Sequence, residues 1–233
     1  MKVTLLDTMG NDDTVVNAAR VSFSKKAEDY TPEQNAKLIN YLAKHGHTSP
    51  FRHPQLSFHI KAPLFVARQL GKHTIGLTWN EISRRYVEGE IEWYVPKVWR
   101  KKAEDKKQGS SSEEVTELLH PAYGPGSEDW WGDVDNKHHP SIHVDHWTYC
   151  AVSQYRQLLA AGICPEQARM VLPQNVYTEW HWTGSLYAFI WVCKLRCAPD
   201  TQEETRDVAN QILSPLHDKF PLSTSAFFGT RTP

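Results

Sequence analysis

Apolar and polar residues alternate strictly from Leu56 to Lys61, with Leu56, Phe58 and Ile60 on one side and Ser57, His59 and Lys61 on the other. That period of two predicts a strand with one face in a core. Residues 3–6 form a short apolar run suited to another strand, and residues 12–19 predict a helix entered through the polar Asn11-Asp12-Asp13 cluster. The next element is punctuated at both ends. Thr31 is placed to cap a helix, Pro32 sits in its first turn, Gln34 completes a capping box, and Lys44, His45 and Gly46 close it. Leu38, Ile39 and Leu42 supply its apolar stripe. Pro63 opens a further helix through Leu64, Phe65, Val66 and Leu70, which ends near Gly71 and delivers Lys72 and His73 at its end. The polar run beyond is expected to continue as a loop, with a strand resuming over residues 91–95.

In the second half, residues 144–161 predict a helix stopped by Gly162, and Pro165 starts another that Pro173 ends. Residues 176–182 alternate and are aromatic, the signature of a strand. Ser185 caps a helix whose buried stripe is Leu186, Phe189, Ile190 and Cys193, and residues 201–213 form the last helix, with Val208, Ala209 and Ile212 inward. Helices and isolated strands alternate without internal repeats or a Gly-rich phosphate loop, so the expected class is α+β and not doubly wound α/β. From about 100 to 140 the character changes to charged and serine runs followed by Gly/Pro clusters. This reads as a polar insertion, not a second domain. Its Trp130-Trp131 pair points to a lid or a subunit contact.

Composition narrows the function classes. At 233 residues the chain has room for one domain with a sizeable core or two small ones. A formal net charge of -1 removes any global pull toward a nucleic-acid polymer or an anionic membrane. The chain shows no charged-then-apolar leader and no apolar run approaching about 18 residues, so a soluble, cytoplasmic protein is expected. Cys150, Cys164, Cys193 and Cys197 lack CxxC spacing. Packed thiols in a reducing compartment are therefore expected. His138, His139, His143 and His146 match no closed ligand set, and no metal is expected.

The candidate chemistry concentrates in residues 68–86, which hold Arg68, Lys72, Arg84 and Arg85 with Gln69, His73, Asn80, Glu81 and Ser83 among them. Such a mixture of guanidinium, amide, carboxylate and hydroxyl groups suits a ligand with a phosphate, a sugar and a heterocycle. The bland counterpart is a solvated charged loop. Arg196 lies seven residues beyond Phe189 and three beyond Cys193, which turns it toward an apolar helix face. A guanidinium there needs an acceptor or an anion, with a buried salt bridge and ligand binding about equally weighted. Arg169 is a third cationic position close to packed residues. The chain has no Gly-x-Ser-x-Gly elbow, no HExxH and no cysteine in a nucleophile's setting. An enzyme of this kind would need a bound cofactor or electrostatic activation.

These residues resemble the flavin-dependent thymidylate synthases. The family's signature is Arg-His-Arg, two residues, Ser, one residue, Asn-Glu, one residue, Ser, one residue, Arg-Tyr. It appears here as Lys72-His73-Thr74, Ile75-Gly76-Leu77, Thr78, Trp79, Asn80-Glu81, Ile82, Ser83, Arg84, Arg85-Tyr86. The second half matches closely; the first has Lys and Thr for the two arginines and one additional residue. The likeness extends to His47-x-Ser49-Pro50-Phe51-x-His53, to residues 62–69 and 166–173, to Tyr177-Thr178-Glu179 and to Leu195-Arg196. It covers most of the chain outside the insertion.

The resemblance implies one α+β domain over residues 1–233, with a mixed or antiparallel sheet flanked by helices. It implies a homotetramer with active sites between subunits. The implied reaction is conversion of dUMP to dTMP by a methyltransferase, with methylenetetrahydrofolate supplying the carbon, FAD carrying the hydride and NADPH reducing the flavin. Carried over by position, Gln69, Lys72, Glu81, Ser83, Arg84, Arg85, Arg169 and Arg196 would hold dUMP. Arg196 would also be catalytic, stabilising negative charge on the pyrimidine. Ser49, Lys72, His73, Thr74, Glu81, Ser185 and Tyr187 would contact FAD. The departures fall on the flavin side: where the family commonly has Asn-x-Arg and an Asn four residues on, this chain has Ser185, Tyr187 and Trp191. Two rivals follow from that. One is a dUMP-binding relative that leaves a hydroxymethyl group on C5, and the other is a nucleotide-binding regulator without catalysis. An RNA-binding module is the weakest option, because the cations are spread among packed elements.

Overall fold

The structure, a computed structural model, describes residues 1–87, 89–104, 109–119 and 137–229. In chain order its strands are β1 (Lys2–Met9), β2 (Gln55–Pro63), β3 (Leu77–Glu81), β4 (Arg100–Lys102), β5 (Ser110–Glu114), β6 (Leu118–Leu119), β7 (Lys137–His138) and β8 (Tyr177–Ser185). Its helices are α1 (Asp12–Arg20), α2 (Pro32–Lys44), α3 (Leu64–Leu70), α4 (Pro140–Ala160), α5 (Pro165–Ala168), α6 (Leu186–Arg196), α7 (Glu203–Lys219) and α8 (Pro221–Phe228). The class is α+β, as expected. Chain contacts gather into two compact units, one formed by Met1–Ala62, Val66–Ile82 and Thr178–Pro233, the other by Pro63–Phe65 and Ser83–Tyr177.

The first unit is built on a four-stranded sheet of order β1-β2-β8-β3, in which β1 runs antiparallel to β2 and β3 antiparallel to β8. The alternation that predicts β2 buries Leu56, Phe58 and Ile60 completely or nearly so. On β8 the same period turns Trp180 and Trp182 inward. Phe189 of α6 meets Phe58 and Trp182 edge to face, with ring centroids 4.9 and 5.4 Å apart. Behind α6 lies α7, which buries Val208, Ala209, Ile212 and Leu216. Cys193 of α6 is fully buried, and its Sγ faces the Ala209 carbonyl at 3.7 Å. The helix starts follow the sequence signals: the Thr31 side chain accepts from the Gln34 amide while Gln34 reaches back to the Thr31 amide, and the Ser185 hydroxyl accepts from the Ala188 amide.

Three expectations need correction. The polar run after His73 is not loop throughout, because Leu77–Glu81 pairs as the edge strand β3. Only Leu77 and Trp79 turn inward there, and two half-buried side chains on an edge strand leave almost no periodic signal. Trp79 lies opposite Trp182 in the register and stacks on Trp180 at 4.3 Å. Conversely, residues 91–95 form no strand. They contribute a single bridge, Trp93 to Val176, flanked by backbone bonds from the Tyr94 and Tyr177 amides. The last expected helix runs on through Pro215 to Lys219, since the buried Ile212 and Leu216 hold the turn around a proline that removes one backbone bond. Then comes α8, which has no apolar stripe to announce it. The Asp12 carboxylate accepts from the Leu222 and Ser223 amides at its start, at 2.8 and 2.9 Å.

The second unit centres on α4 and α5, whose Val152, Tyr155 and Ala168 pack with Ile91 and Val176 in a small core bordered by Trp93, Leu158, Leu159 and Leu172. Two indoles fasten the start of α4: Trp93 Nε1 donates to the Asp145 carboxylate at 2.7 Å, and Trp99 Nε1 to the Ser141 hydroxyl at 3.0 Å. Within the region expected as an insertion, β4 pairs with β5 and β6 with β7, each antiparallel. The Trp130-Trp131 pair lies outside the described residues. Among the described residues no helix is long and apolar enough to cross a membrane.

Candidate functional site

In the first unit, α3 ends where sequence places its stop: the Gly71 amide bonds to the Ala67 carbonyl and the His73 amide to the Leu70 carbonyl. The chain then turns through Gly76, whose φ of +71° suits glycine, into β3. Gly184 of β8 backs this turn so closely that a Cβ there would stand 2.4 Å from the Gly76 carbonyl oxygen. Between the turn and the start of α6 opens a cavity of about 560 Å³. Lys72, His73, Thr74, Ile75, Gly76 and Leu77 line one side, and Ser185, Tyr187, Ala188, Trp191 and Val192 the other, with Arg52 at its border. The volume falls within the roughly 300–1,000 Å³ of small-molecule sites.

Five of the seven positions expected to contact FAD thus line one cavity: Lys72, His73, Thr74, Ser185 and Tyr187. Ser49 and Glu81 do not. Ser49 opens a short 3-10 turn that carries Arg52, and Glu81 accepts from the Thr178 hydroxyl at 2.7 Å and from Trp79 Nε1 at 3.1 Å. The lining includes two cationic side chains, Arg52 and Lys72, and no carboxylate. The amino end of α6 adds the partial positive charge of a helix start. Ile75 is 91% exposed and Trp191 51%, apolar surfaces that the described part of the chain leaves for something else to cover. Arg52 is absent from the residues that sequence singles out. Its signal is a cation in the hydrogen-bonding loop between Phe51 and His53.

Arg196, at the last turn of α6, is half-buried, as its spacing from Phe189 predicts. Its partner is not a carboxylate. Nε donates to His73 Nε2 at 2.9 Å and Nη2 to the Gln69 carbonyl at 3.4 Å. Burial, and then the Arg196 charge beside it, hold the His73 pKa below the usual histidine value. The imidazole is therefore neutral and accepts through Nε2, with its proton on Nδ1. Among the described residues no group engages Arg196 Nη1. The Gln69 side chain turns away, its amide donating to Gln202 and its oxygen accepting from Thr205, so Gln69 supports Arg196 through its backbone. Next to Arg196, Cys197 shares a hydrogen bond with Cys193 that raises the pKa of the buried thiol well up and lowers that of Cys197.

The remaining expected residues belong to the second unit. Ser83 accepts from the Arg85 amide and from Arg85 Nε, at 3.3 and 3.2 Å. Arg85 Nη1 stands 3.9 Å from Glu166, an exposed pair that contributes little to stability. Arg84 is engaged internally, donating to the Gly89 and Glu90 carbonyls. Arg169, three residues beyond Glu166, is exposed.

The sequence model of the family described as thymidylate synthase complementing protein matches residues 4–222. A flavin-dependent thymidylate synthase of Thermus thermophilus is 39% identical over 229 residues, covering 97% of this chain and 74% of the relative. The enzyme of that name from Thermosipho africanus is 35% identical, covering 96% and 89%. Among solved structures, the UMP/dUMP methylase PolB from Streptomyces cacaoi bound with 5-Br dUMP superposes with a TM-score of 0.79 at 29% identity, covering 98% of this chain and 95% of its own. With a family match over nearly its whole length and relatives well above 30% identity, the chain belongs to the thymidylate synthase complementing protein family, that of the flavin-dependent thymidylate synthases.

Proposed function

We propose that this protein is a flavin-dependent thymidylate synthase, a methyltransferase that converts dUMP to dTMP with methylenetetrahydrofolate as carbon donor, FAD as hydride carrier and NADPH as reductant of the flavin. The observation that carries the reading is Arg196: a half-buried guanidinium, paired with no carboxylate among the described residues, bonded to His73 on the lining of a cavity that holds most of the expected flavin positions. Negative charge building on a pyrimidine ring is stabilised by a fixed cation of this kind, and no nucleophilic cysteine is then required.

The residues present fit a flavin. The lining brings two cations, a helix start and no carboxylate for the phosphates, with Tyr187, Trp191 and Ile75 offering apolar faces to the rings. When bound, the flavin would supply the hydride chemistry that no side chain can. In the protein, His73 would fix the direction of Arg196, with the Gln69 carbonyl as second anchor. Ser83 and Arg85 would offer hydroxyl and guanidinium donors for the dUMP phosphate and Arg169 would serve its uracil and sugar side, while Arg84 would shape their loop from within. Lys72, on the cavity lining, would serve the flavin. Glu81, tied to Thr178 and Trp79, would orient the end of β3.

The assembly proposed is a homotetramer with active sites between subunits. Ile142, Trp147 and Tyr149 of α4 stay exposed, the kind of surface that a subunit contact covers. Four free cysteines agree with a cytoplasmic setting. The names of the relatives favour a methyl over a hydroxymethyl product. A second reading, that UMP is accepted beside dUMP, rests on the methylase that is also solved with 5-Br UMP. The test is incubation with dUMP or UMP, methylenetetrahydrofolate, NADPH and FAD, with the product identified by mass. Catalytic dTMP is expected; a colourless protein that takes up no FAD would overturn the reading.

A further inference from the structure

We infer that Arg52 is the phosphate clamp of the flavin site, the residue that grips the anionic part of FAD; this rests on the flavin reading of the cavity. Arg52 ends a 3-10 turn whose Pro50 and Phe51 are buried, and the Phe51 ring is fixed edge to face on Phe227 with centroids 5.0 Å apart. The turn is therefore anchored from below, and Arg52 is one of the residues that line the cavity. Two contacts hold its guanidinium, one of them to Tyr187 of the same lining. Nη2 donates to the Thr48 hydroxyl at 3.2 Å, and the guanidinium carbon lies 5.4 Å from the centre of the Tyr187 ring.

What Arg52 lacks is an anion. No carboxylate lines the cavity, and among the described residues no acidic group pairs with this guanidinium. An ordinary surface arginine sweeps freely through solvent, whereas this one is held by a hydroxyl and a ring and still has several N–H donors in hand. A planar fork suits two phosphate oxygens at once, which the ammonium of Lys72 cannot match. Tyr187 beneath it is the position where the resemblance places an arginine. Here the charge comes from the turn, and the helix supplies the ring that supports it. Arg52 would thus replace the cation missing from α6 and decide for a phosphorylated flavin over the bare vitamin.

The test compares FAD with riboflavin, which has the same ring system and no phosphate. Affinities are measured by quenching of flavin fluorescence for the full-length wild type, Arg52→Ala and Arg52→Lys, with a thermal melt of each. Loss of charge-assisted hydrogen bonds should weaken FAD about 10- to 100-fold in Arg52→Ala. Riboflavin affinity should not change, Arg52→Lys should recover part of the loss, and the melting temperature should hold. FAD affinity unaltered in Arg52→Ala would overturn the clamp and leave the flavin reading standing. So would equal loss of FAD and riboflavin with a lower melting temperature, the mark of a turn that merely supports the fold. A wild type that binds neither flavin would remove the flavin reading and the clamp together.

Discussion

Lowering the pH should release Arg196 before it unfolds the protein. Arg196 Nε donates to His73 Nε2 at 2.9 Å, so the imidazole must be neutral to accept. Burial and the neighbouring guanidinium depress its pKa in the folded protein. A depressed histidine contributes stability that is fully present above its unfolded value of about 6.5 and is lost as pH falls through the lower folded value. On protonation the acceptor becomes a donor and sets a second cation against the first. A hydrogen bond to a charged group is worth about 1.5–3 kcal/mol. Because His73 is only half-buried, solvent screens the repulsion and the lower end applies. If that energy holds Arg196 in its productive direction, kcat/KM should drop about tenfold across the acid limb. The assay is dTMP formation from pH 5 to 8 at saturating FAD, beside thermal melts at each pH. His73→Gln, whose amide oxygen accepts without titrating, should flatten the limb; His73→Phe should lower kcat/KM at every pH. A wild-type acid limb retained in His73→Gln, or His73→Phe with wild-type turnover at pH 8, would refute the reasoning.

Three further outcomes follow from the geometry. Arg196→Ala should cut turnover by more than about 100-fold while FAD uptake and melting temperature stay near wild type, and unchanged turnover would sink the assigned role. Arg85→Ala should raise KM for dUMP about tenfold with a smaller effect on kcat, as loss of a charge-assisted phosphate contact requires. An unaltered KM in steady-state kinetics would count against phosphate binding there. Gly184→Ala places a Cβ 2.4 Å from the Gly76 carbonyl oxygen and 2.5 Å from Leu77 Cδ2. Neither β3 nor the turn can yield cheaply, so calorimetry should show a loss of about 1–3 kcal/mol, and a wild-type melting curve would exclude the contact.

Where residue type and local geometry coincide, the structure was legible in the sequence. Thr31, Pro32 and Gln34 announce α2 because a capping box is a local event, and Leu56, Phe58 and Ile60 announce β2 because its face is wholly buried. The orientation of Arg196 follows from helical spacing alone. Its partner does not: His73 is 123 positions away in the chain, and a neutral imidazole carries no complementary charge to suggest the pairing. Gln69 illustrates the same limit, since its signature position says nothing of the α7 side chains that take up its amide. Arg52 carries no such local signal, because its contact is with Tyr187, a ring on a helix far along the chain. Edge strand β3 and helix α8 are not legible, because one has only two inward residues and the other buries Ser223 and Thr224 in place of an apolar stripe.

The strand order carries a consequence for how the protein is made. In β1-β2-β8-β3, the first three strands synthesised are β1, β2 and β3, yet β2 and β3 do not touch; β8 stands between them. A nascent chain that has emerged only as far as β3 therefore exposes an open edge on β2, with a hydrophobic row of Leu56, Phe58 and Ile60 beneath it. Nothing fills that gap until Tyr177–Ser185 leave the ribosome. At about 5–20 residues per second this is a wait of several seconds or more. Joining β3 to β8 then closes a loop of roughly a hundred residues, at an entropic cost of about 4 kcal/mol. The same strand that ends in Ser185, on the cavity lining, is thus the one that completes the sheet, so the sheet closes late and the cavity's far wall, α6, can form only after it.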